Sequence, residues 1–449
     1  MRYRLDSSWR RVGKVVIAGS PLRLFRMSTG GAQVIAMVEA GEAPDTPSIH
    51  QLLDRFVDAG ALHPEHDHGP FTAADVTVVV PAYGSLPDGF LDSLGQLQTV
   101  IVDDASPTPI HVMPRLRTTL VRHDTNRGPG AARNTGLAEV ATPLVAFVDT
   151  DVTLPAGWLD PLLTHFADER VALVAPRVAG APGASWLAGF EQRHSPLDLG
   201  GEPARVSAGT RVSYVPAAAM VCRTSSLRAA GGFDDELRFG EDVDLVWRLA
   251  GGGDRCRYEP ASVVHHAPRA TVGALLRQRF GYGRSAAPLA QRHPGALAPL
   301  RMSGWSLGVW ALLVLRRPVL ALGVAGGTAV ALQRKLTDVP PQESARLVGL
   351  GHLAAGRQLA SAVTRVWWPI AVVAALFVRK ARLPVAAALA LPSVVDAVRG
   401  RSVQPLIDAP LSTVEQMAYG AGVWAGVAGE RQVGPLLPEL TSWPRRGGG

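Results

Sequence analysis

The chain has 449 residues, 47% hydrophobic and 18% charged, so it is too long for one ordinary core and too polar for a polytopic transporter. Residues 255 to 449 carry 23 Lys and Arg against 8 Asp and Glu, a net charge of +15, which leaves −8 for the rest. This asymmetry favours contact of the C-terminal part with an anionic membrane surface. Cys222 and Cys256 form no CxxC pair, which argues against a cysteine-based zinc site or a disulfide framework.

The first predicted elements are short strands followed by two helices. Residues 12 to 27 predict two strands, separated by a turn at Ser20-Pro21. Ser28 and Thr29 can cap a helix that runs to about Glu39, and Ser48 can cap a second helix with apolar residues at helical spacing. The order strand, strand, helix, helix predicts a small winged-helix-like domain.

A break in periodicity closes this first domain. Residues 63 to 70 (HPEHDHGP) combine Pro, Gly and mixed charge, so we expect a loop there and a domain at residues 1–68. A DNA-binding role for the winged helix is disfavoured, because residues 48 to 60 carry Arg55 against the two acids Asp54 and Asp58. A recognition helix is normally basic, and we expect no nucleic-acid partner.

A second domain, at residues 75–268, is predicted from three continuous apolar runs. These are VTVVV (76 to 80), TVIVD (99 to 103) and LVAFVD (144 to 149), with helical or loop segments between them. Such runs are typical of parallel strands covered on both faces, so the predicted class is α/β. Polar residues cluster where the strands end, which is where open α/β sheets bind ligands.

The ends of the first two strands predict a site for a flat ring. PAYG (81 to 84) leaves room for such a ring, and VDDAS (102 to 106) supplies paired acids. The N3 donor of a uracil needs an acceptor, which either Asp103 or Asp104 can provide. Each motif alone could equally be an ordinary turn between a strand and a loop.

NRGPGAARNTGL (126 to 137) predicts a phosphate cradle at the start of a helix. Gly128 and Gly130 allow the backbone to approach closely, and Arg127 and Arg133 can act as counter-charges. A capped surface helix is the alternative. The segment lacks the GxxxxGK[ST] spacing, so phosphoryl transfer from ATP is disfavoured.

AFVDTD (146 to 151) places two carboxylates just after a buried strand. In a bend, Asp149 and Asp151 can converge on one hard divalent cation that bridges a diphosphate. A solvated turn is the alternative for this common pattern. VVHHAPR (263 to 269) offers His265 and His266, one of which could complete the metal shell, although a lone histidine is more often structural.

GGFDDELRFGEDVDLVWRL (231 to 249) combines two glycines, an acidic loop and an amphipathic helix. A carboxylate at the mouth of this helix can act as a general base on a sugar hydroxyl. Glu241 and Asp242 are the candidates, and capping of the helix by an acid is the alternative, especially for Glu241.

The remainder, residues 269–449, is basic and apolar. Its apolar stretches at 307–315, 318–332, 366–378 and 383–395 are interrupted by arginines. None reaches the roughly 20 residues that a simple spanning helix needs, so we expect interfacial or hairpin-like membrane helices, with buried helices of a soluble domain as the alternative. The N-terminus has no secretory signal, and the expected location is the cytoplasmic side of the cell membrane.

In this order, PAYG, VDDAS, NRGPGAARN, DTD, GGFD and GED resemble glycosyltransferase family 2, inverting enzymes of the A-type glycosyltransferase fold. The resemblance implies a UDP-sugar donor and a divalent cation, Mg²⁺ or Mn²⁺. It implies that Asp103 and Asp104 lie at the uracil, Asp149 and Asp151 at the diphosphate and metal, and that Asp242 is the base. It also points to His266, with His265 as the alternative, as a further metal ligand. The predicted nucleotide-sugar-binding set is Pro81, Tyr83, Asp103, Asp104, Asn126, Arg127, Gly128, Arg133, Asp149 and Glu241.

Two flanking segments narrow the resemblance. GKVVIAGSPLRLFRMS resembles the winged-helix peptide-recognition modules of ribosomal peptide maturation, and residues 277 to 300 resemble a segment of the mycofactocin system glycosyltransferases. That family implies transfer of hexose, as β-1,4-linked glucose, to a peptide-derived redox cofactor precursor. The first domain would then hold this acceptor or a maturation partner on the edge strand LRLFRM. A family 2 enzyme of cell-envelope polysaccharide assembly is the alternative, and the absence of a QxxRW motif disfavours polymer extrusion.

Overall fold

The computed structural model describes residues 1–42, 46–112 and 117–441. The described residues form two compact units, the first within residues 1–270 and the second beginning at residue 271. The first unit contains both the N-terminal module and the large sheet, and each unit is described separately below.

The N-terminal module has more strands than the sequence predicts. Its strands are β1 Arg2–Leu5, β2 Arg10–Val12, β3 Val15–Ala18, β4 Arg23–Arg26 and β5 Leu62–Glu65, and its helices are α1 Thr29–Glu39 and α2 Pro47–Val57. Strands β2, β3 and β4 form an antiparallel sheet, while β1 pairs with β5. Strand β5 therefore extends into the segment predicted to be a loop. Pairing with β1, nearly sixty residues earlier, is a long-range contact that local periodicity does not record.

The predicted helix start at Ser28 is confirmed, and the one at Ser48 is wrong. The Ser28 hydroxyl accepts a hydrogen bond from the Gly31 N–H at 3.1 Å, and α1 ends at Glu39. Helix α2 begins one residue before Ser48, at Pro47. A proline is well tolerated there, because its missing N–H would have no partner inside the helix. Strand β4 lies at the edge of its sheet, and its role in peptide docking stays a prediction.

The large sheet is mixed, and helices flank its strands. Its strands are β6 Val76–Ala82, β7 Gln98–Asp103, β8 Thr118–Arg122, β9 Leu144–Val148, β10 Val152–Thr153, β11 Val171–Gly180, β12 Ala204–Val206, β13 Ala219–Arg223 and β14 Arg255–His266. The helices are α3 Phe90–Ser93, α4 Pro129–Ala138, α5 Asp160–Leu163, α6 Trp186–His194, α7 Thr224–Ala229 and α8 Glu241–Gly251. The strand order is β10-β14-β11-β13-β9-β6-β7-β8, with β12 on β14.

The prediction of a parallel-rich sheet holds for six of its nine strands. Strands β9, β6, β7 and β8 form a parallel half, β11 and β14 are also parallel to each other, and β13 is antiparallel to both of its neighbours, β9 and β11. A continuous apolar run is equally compatible with a parallel or an antiparallel strand, so the sequence does not predict that β13 is antiparallel. The strands of the parallel half are buried as predicted, with Val78, Leu144 and Ala146 in one large core cluster.

The second unit is mainly helical. Its elements are α9 Val272–Arg284, α10 Ala286–Arg292, β15 Arg301–Met302, α11 Gly304–Val314, α12 Pro318–Lys335, α13 Pro341–Arg365, α14 Trp368–Phe377, α15 Arg382–Gly400, α16 Gln404–Glu430 and β16 Glu439–Leu440. Helices α9 and α16 pack backbone to backbone at Gly283 and Gly422. A Cβ atom on Gly283 would overlap the Tyr419 carbonyl oxygen, so glycine is needed for this close approach.

One helical stretch of this unit is longer than the sequence predicts. Residues 379–400 form a continuous stretch of 22 residues that is long and apolar enough to cross a membrane, and α13 with α14 gives a second candidate, bent by 85°. The expectation that no stretch is long enough is therefore wrong for α15, because the helix continues through Asp396 and Arg399. By length and composition alone this is weak evidence for a membrane span.

Ion pairs around Arg255 hold the N-terminal module against the sheet. The Arg255 guanidinium donates to Asp54 of α2 at 2.7 Å, to Asp58 at the C-terminal end of that helix at 2.8 Å, and to Asp168 at 2.6 Å. Burial alone would raise the pKa of Asp58, but the hydrogen bonds and charges of Arg255 and Arg170 lower it below its ordinary value. The module is thus joined to the sheet by charged hydrogen bonds.

We expect Arg255→Met to lower the free energy of unfolding by about 2 kcal/mol, because three carboxylates lose a largely buried partner. Chemical denaturation of the full chain measures this change. The matched control is Arg2→Met, whose pair with Asp67 at 3.0 Å leaves both side chains more than half exposed, so its change should stay within about 0.5 kcal/mol. Equal stability of both variants would contradict the structural role of Arg255.

Candidate active site

Strand direction gathers the predicted site residues at one edge of the large sheet. The parallel strands β6, β7 and β9 end there, and they are followed by Tyr83, Asp104 and Asp149. Strand β13 runs antiparallel to β9, and β11 runs antiparallel to β13, so β11 and its parallel neighbour β14 run in the same direction as β9. The carboxyl end of β14, with His266, therefore lies at the same edge. Residues separated by up to 183 positions in the chain therefore share one surface.

Asp103 is fully buried and holds the loop that follows its own strand. Its carboxylate accepts hydrogen bonds from the N–H groups of Ser106 at 2.8 Å and Ile110 at 3.1 Å, and it also pairs with Arg122. Burial favours a raised pKa, but hydrogen bonds from Ser106, Ile110 and Arg122 lower the pKa of Asp103. An anionic Asp103 thus stabilises the loop. Its predicted contact with the uracil of the nucleotide stays a prediction.

Asp104 holds the segment that was predicted to be a phosphate cradle. Its two carboxylate oxygens accept hydrogen bonds from the N–H groups of Arg127 and Gly128, each at 2.8 Å, and His123 lies 2.8 Å from one of them. The N–H groups of Arg127 and Gly128 thus have an acceptor within the protein, and phosphate binding at this helix start stays a prediction. Gly128 has φ +96°, which allows the chain to turn into α4 at this point.

Two solvent-exposed arginines, Arg127 and Arg238, lie around the start of α4. The Arg127 side chain is half exposed and lies 3.5 Å from Asp235. Arg238, from the loop before α8, donates to the Asn126 side-chain oxygen at 2.7 Å and packs beside Gly128. The predicted counter-charge at Arg127 is available at the surface, and Arg238 is an additional cation that the sequence analysis did not single out.

Arg133 occupies a different place from the one predicted. It is only 3% exposed and lies between two acids, donating to Asp149 and Glu241 at 2.7 Å each. It is therefore enclosed in ion pairs within the protein instead of facing solvent as a counter-charge for phosphate. The reason is its position on α4, whose buried face is turned toward the sheet and the Phe233 ring.

Glu241 and Asp242 begin α8 at the same edge. Burial and the neighbouring charge of Asp242 raise the pKa of Glu241 to about 7, against the opposing charge of Arg133. The Asp242 carboxylate is held by the N–H groups of Ala217 at 3.2 Å and Val243 at 2.8 Å. Burial raises the pKa of Asp242 above its ordinary value. A half-buried carboxylate of raised pKa in a fixed orientation is suited to accept a proton.

Asp151 meets His266 across the pairing of β10 with β14. The Asp151 Oδ2 lies 3.2 Å from His266 Nε2 and 3.3 Å from a guanidinium nitrogen of Arg269. The neighbouring His265 makes no such contact, and its buried Nδ1 has no hydrogen-bond partner within the described part of the chain. Burial alone would raise the pKa of Asp151, but its hydrogen bond and charge interaction with His266 lower it, as does the charge of Arg269.

These donors suit a hard divalent cation by type. Two carboxylates and one imidazole match the ligands of Mn²⁺ or Mg²⁺. Asp149 and Asp151 are close enough for the negative charge of Asp151 to raise the pKa of Asp149, although the largest cause of that rise is burial. Among the described residues no preformed cluster of three acids, histidines or cysteines is present, because Asp149 turns toward Arg133.

A cavity of about 420 Å³ lies between residues 84–86 and 107–111, beyond the ends of β6 and β7. It is lined in part by the loop that Asp103 holds, and Tyr83, which precedes the lining residue Gly84 in the chain, is 62% exposed. Pro81 is half-buried within β6. The cavity is at the edge where the sequence predicts a flat ring, and the walls contributed by residues 107–111 were not foreseen.

Three further residues of this edge were missed by the sequence analysis. Arg269 contacts both Asp151 and His266, Glu191 of α6 accepts a hydrogen bond from the Arg269 N–H, and Arg238 covers the start of α4. The spacing of three residues between His266 and Arg269 was a visible signal. The other two are joined to the site only by the fold.

Comparison with known proteins identifies relatives along the whole chain. Residues 77–228 match the model of glycosyl transferase family 2. The pre-mycofactocin glycosyltransferase of Mycobacterium tuberculosis is 39% identical over 95% of both chains. The succinoglycan biosynthesis protein ExoO of Rhizobium meliloti is 28% identical over 45% of this chain and 64% of its own.

A mannosyltransferase from Pyrobaculum calidifontis, solved with GDP-Man and Mn²⁺, is 20% identical and covers 86% of this chain and 98% of its own, with a TM-score of 0.39. That likeness is too distant to bear on the site. The family match and the mixed sheet agree with the expected A-type glycosyltransferase class of α/β fold. Identity to the M. tuberculosis protein extends through both units of the chain. The chain therefore belongs to the mycofactocin glycosyltransferases of family 2.

Proposed function

We propose that this glycosyltransferase moves a hexose from a UDP-sugar to a peptide-derived cofactor precursor, with inversion at the anomeric carbon. The observation that supports this most is the shared edge of the sheet. It combines the oriented carboxylate of Asp242 with the Asp151–His266 pair and with a cavity for a flat ring. A single displacement from a nucleotide sugar needs these three parts: a general base for the acceptor proton, a site for the leaving diphosphate and a pocket for the nucleobase.

Asp242 is the proposed general base. Its carboxylate accepts the proton of the acceptor hydroxyl as that oxygen forms a bond to the anomeric carbon, and the bond to the UDP oxygen breaks at the same time. The N–H groups of Ala217 and Val243 fix the carboxylate, and its raised pKa improves its affinity for the proton. General base catalysis of this type contributes ~10²–10⁴-fold to the rate.

Asp149, Asp151 and His266 are the proposed ligands of a divalent cation, Mn²⁺ or Mg²⁺. When bound, such a cation neutralises the charge that develops on the departing diphosphate. Asp151 and His266 already meet at 3.2 Å, and Asp149 would exchange part of its pairing with Arg133 for the cation. The exposed guanidinium of Arg127 is proposed to contact the diphosphate.

The acceptor distinguishes this proposal from the alternative of envelope polysaccharide synthesis. The polysaccharide relative covers only 45% of this chain, whereas the pre-mycofactocin relative covers 95%, including the N-terminal module. The direct test is mass spectrometry of the products formed from a panel of UDP-sugars with the precursor or with a polysaccharide primer. Hexose addition to the polysaccharide primer alone would overturn the proposed acceptor.

We also propose that residues 271–441 attach the protein to the cytoplasmic face of the cell membrane. Leu315, Val319 and Phe377 are among many highly exposed apolar side chains of this unit, and Phe377 is 83% exposed. Pairs of basic residues, Arg316 with Arg317 and Arg379 with Lys380, lie next to them in the chain. Apolar burial and attraction to anionic lipid would act together at such a surface.

Asp242→Asn should lower the transfer rate by ~10²-fold or more, because an amide cannot accept the proton, and should leave UDP-sugar affinity largely unchanged. Initial rates from mass spectrometry and calorimetric titration of UDP-sugar measure the two effects. Glu236→Gln is the matched control, since this exposed acid lies in the preceding loop. A variant that keeps a tenth of the wild-type rate would exclude Asp242 as the base.

Asp151→Ala should weaken UDP binding in the presence of Mn²⁺ by about tenfold or more, because the cation loses a carboxylate ligand. Calorimetry with and without Mn²⁺, together with Mn²⁺ electron paramagnetic resonance, reads binding independently of turnover. Asp160→Ala is the control, as this exposed acid lies on the nearby α5. The metal assignment fails if the Mn²⁺-dependent affinity of Asp151→Ala equals that of the wild type.

The full chain should sediment with vesicles that contain anionic phosphatidylglycerol, and less so at high salt. Replacement of Arg316, Arg317, Arg379 and Lys380 by glutamate should reduce the bound fraction severalfold, because the charge attraction is reversed. Arg55→Glu, an exposed change in the N-terminal module, serves as control. A full-length protein that stays wholly in the soluble fraction without detergent would refute membrane attachment.

A further inference from the structure

Three arginines of β12 and β14 lie on the face of the large sheet that meets the N-terminal module. Arg255 and Arg257 are two positions apart in β14, so their side chains leave the same face of the strand. Arg205 of β12 is the direct cross-strand partner of Arg257. Arg255 binds Asp58 of the module, and a Cβ atom on Gly60 of the module would lie 3.2 Å from the Arg205 Cβ. The shared face is therefore the one turned toward the module.

Arg205 and Arg257 are a like-charged pair at this junction. Residues directly opposite each other in antiparallel strands have Cβ atoms about 5 Å apart, and two like charges placed so are destabilising. Arg257 is only 4% exposed, so water screens this repulsion poorly. Burial and the charge of Arg255 lower the pKa of Arg257 to about 10. The charges of Asp168 and Asp58 oppose this fall without cancelling it.

The acids near Arg257 are held by other partners. Asp58 and Asp168 bind Arg255 at 2.8 and 2.6 Å. Two further acids at this junction are paired with histidines, Asp6 with His63 and Glu259 with His165. The Nη1 atom of Arg257 is buried and has no hydrogen-bond partner in residues 1–42, 46–112 and 117–441. Because a buried cation is stable only when it is paired, this guanidinium calls for an anion from outside the chain.

A row of cations leads from the surface of the module to Arg257. Arg23, on the edge strand β4, is exposed, and Arg205 is half-buried. The two are neighbours, since the charge of Arg23 adds to burial in lowering the pKa of Arg205. Guanidinium groups bind the oxygens of carboxylates and phosphates through paired, charge-assisted hydrogen bonds. The row of arginines therefore suits a small oxyanion.

We propose that Arg257 and Arg205 bind a small oxyanion, a carboxylate or a phosphate, between the N-terminal module and the strands β12 and β14. The anion provides the missing acceptor for the Arg257 Nη1 and relieves the repulsion between the two arginines. Arg23 of the module lies at the solvent side of the same site. An anion in contact with both parts therefore stabilises the packing of the module against the sheet.

This oxyanion site is separate from the candidate active site. Arg257 and His266 of β14 pair with Val174 and Gly180 of β11, which are six residues apart. In a strand this spacing corresponds to about 20 Å. A nucleotide bound at the active-site edge should therefore not compete with the oxyanion.

Calorimetric titration of the full chain in a chloride buffer of constant ionic strength tests the site. The probes are inorganic phosphate and acetyl-trialanine with a free C-terminal carboxylate, and the same peptide as its amide is the control. We expect phosphate, the peptide acid or both to bind and to raise the midpoint of thermal unfolding, and the amide to do neither. Binding of phosphate identifies a free ion as sufficient, whereas binding of the peptide acid alone identifies the carboxylate of a peptide.

Arg257→Met and Arg205→Met should each weaken this binding about tenfold or more, because each removes one of the two guanidinium groups. Arg205→Met keeps the test decisive if Arg257→Met does not fold, since its side chain is only half-buried. Arg55→Met, which alters an exposed arginine of α2, is the matched control and should bind as the wild type does. Saturation with UDP and Mn²⁺ should leave the affinity for the oxyanion unchanged.

The proposal is overturned if neither phosphate nor the peptide acid binds, or if the amide binds as well as the acid. Wild-type affinity in the folded Arg257→Met and Arg205→Met variants would also overturn it. Loss of phosphate binding in the presence of UDP would assign the phosphate to the donor site instead. The measurement does not depend on sugar transfer, so failure of the proposed function would leave these results unchanged.

Discussion

The candidate site depends on the ion pairs that the buried guanidinium of Arg133 makes with Asp149 and Glu241. This guanidinium joins α4 to the turn after β9 through Asp149, and to the start of α8 through Glu241. A cation so deeply buried is stable only when paired, and loss of either acid would leave an uncompensated charge. The arginine therefore sets the distance between the acids proposed for the metal and the acid beside the proposed base.

This arrangement links events on the two sides of the site. A divalent cation at Asp149 would compete with Arg133 for the same carboxylate and leave the guanidinium more fully to Glu241. Since Glu241 and Asp242 influence each other's proton affinity, cation binding would also alter the protonation of the proposed base. Coupling of this kind is reciprocal, so the state of the base also affects the affinity for the cation.

The sequence predicted most of the elements of the site and few of its contacts. The strands that end at Asp103 and at Val148, just before Asp149, are recognisable because buried strands leave continuous apolar runs. Asp151 and His266 are neighbours because β10 pairs with β14, and 115 positions separate them in the chain. The sequence reasoning from the residues alone left His265 and His266 equivalent. The register of β14 distinguishes them by bringing only His266 to Asp151.

Other contacts were not foreseen because the sequence shows which groups can donate hydrogen bonds but not which groups accept them. A glycine-rich helix start is a sound indication of an anion site, but here Asp104 is the anion that the N–H groups bind. The same ambiguity applied to Arg133, whose partners are the protein's own acids. The extra strands of the N-terminal module, RYRL, RRV and LHPE, were missed because they lack a continuous apolar run such as the VVIA of β3.

The ion pairs of Arg255 have a consequence for how the first unit responds to its ligands. Because Asp54 of α2 and Asp58 at its C-terminal end bind the same cation as Asp168, the module cannot separate from the sheet without exposing an incompletely paired arginine. We therefore expect residues 1–270 to unfold as one cooperative body, not as two domains in series. A molecule that binds only the N-terminal module would thus protect the distant catalytic edge from unfolding, through shared stability and without any movement between them.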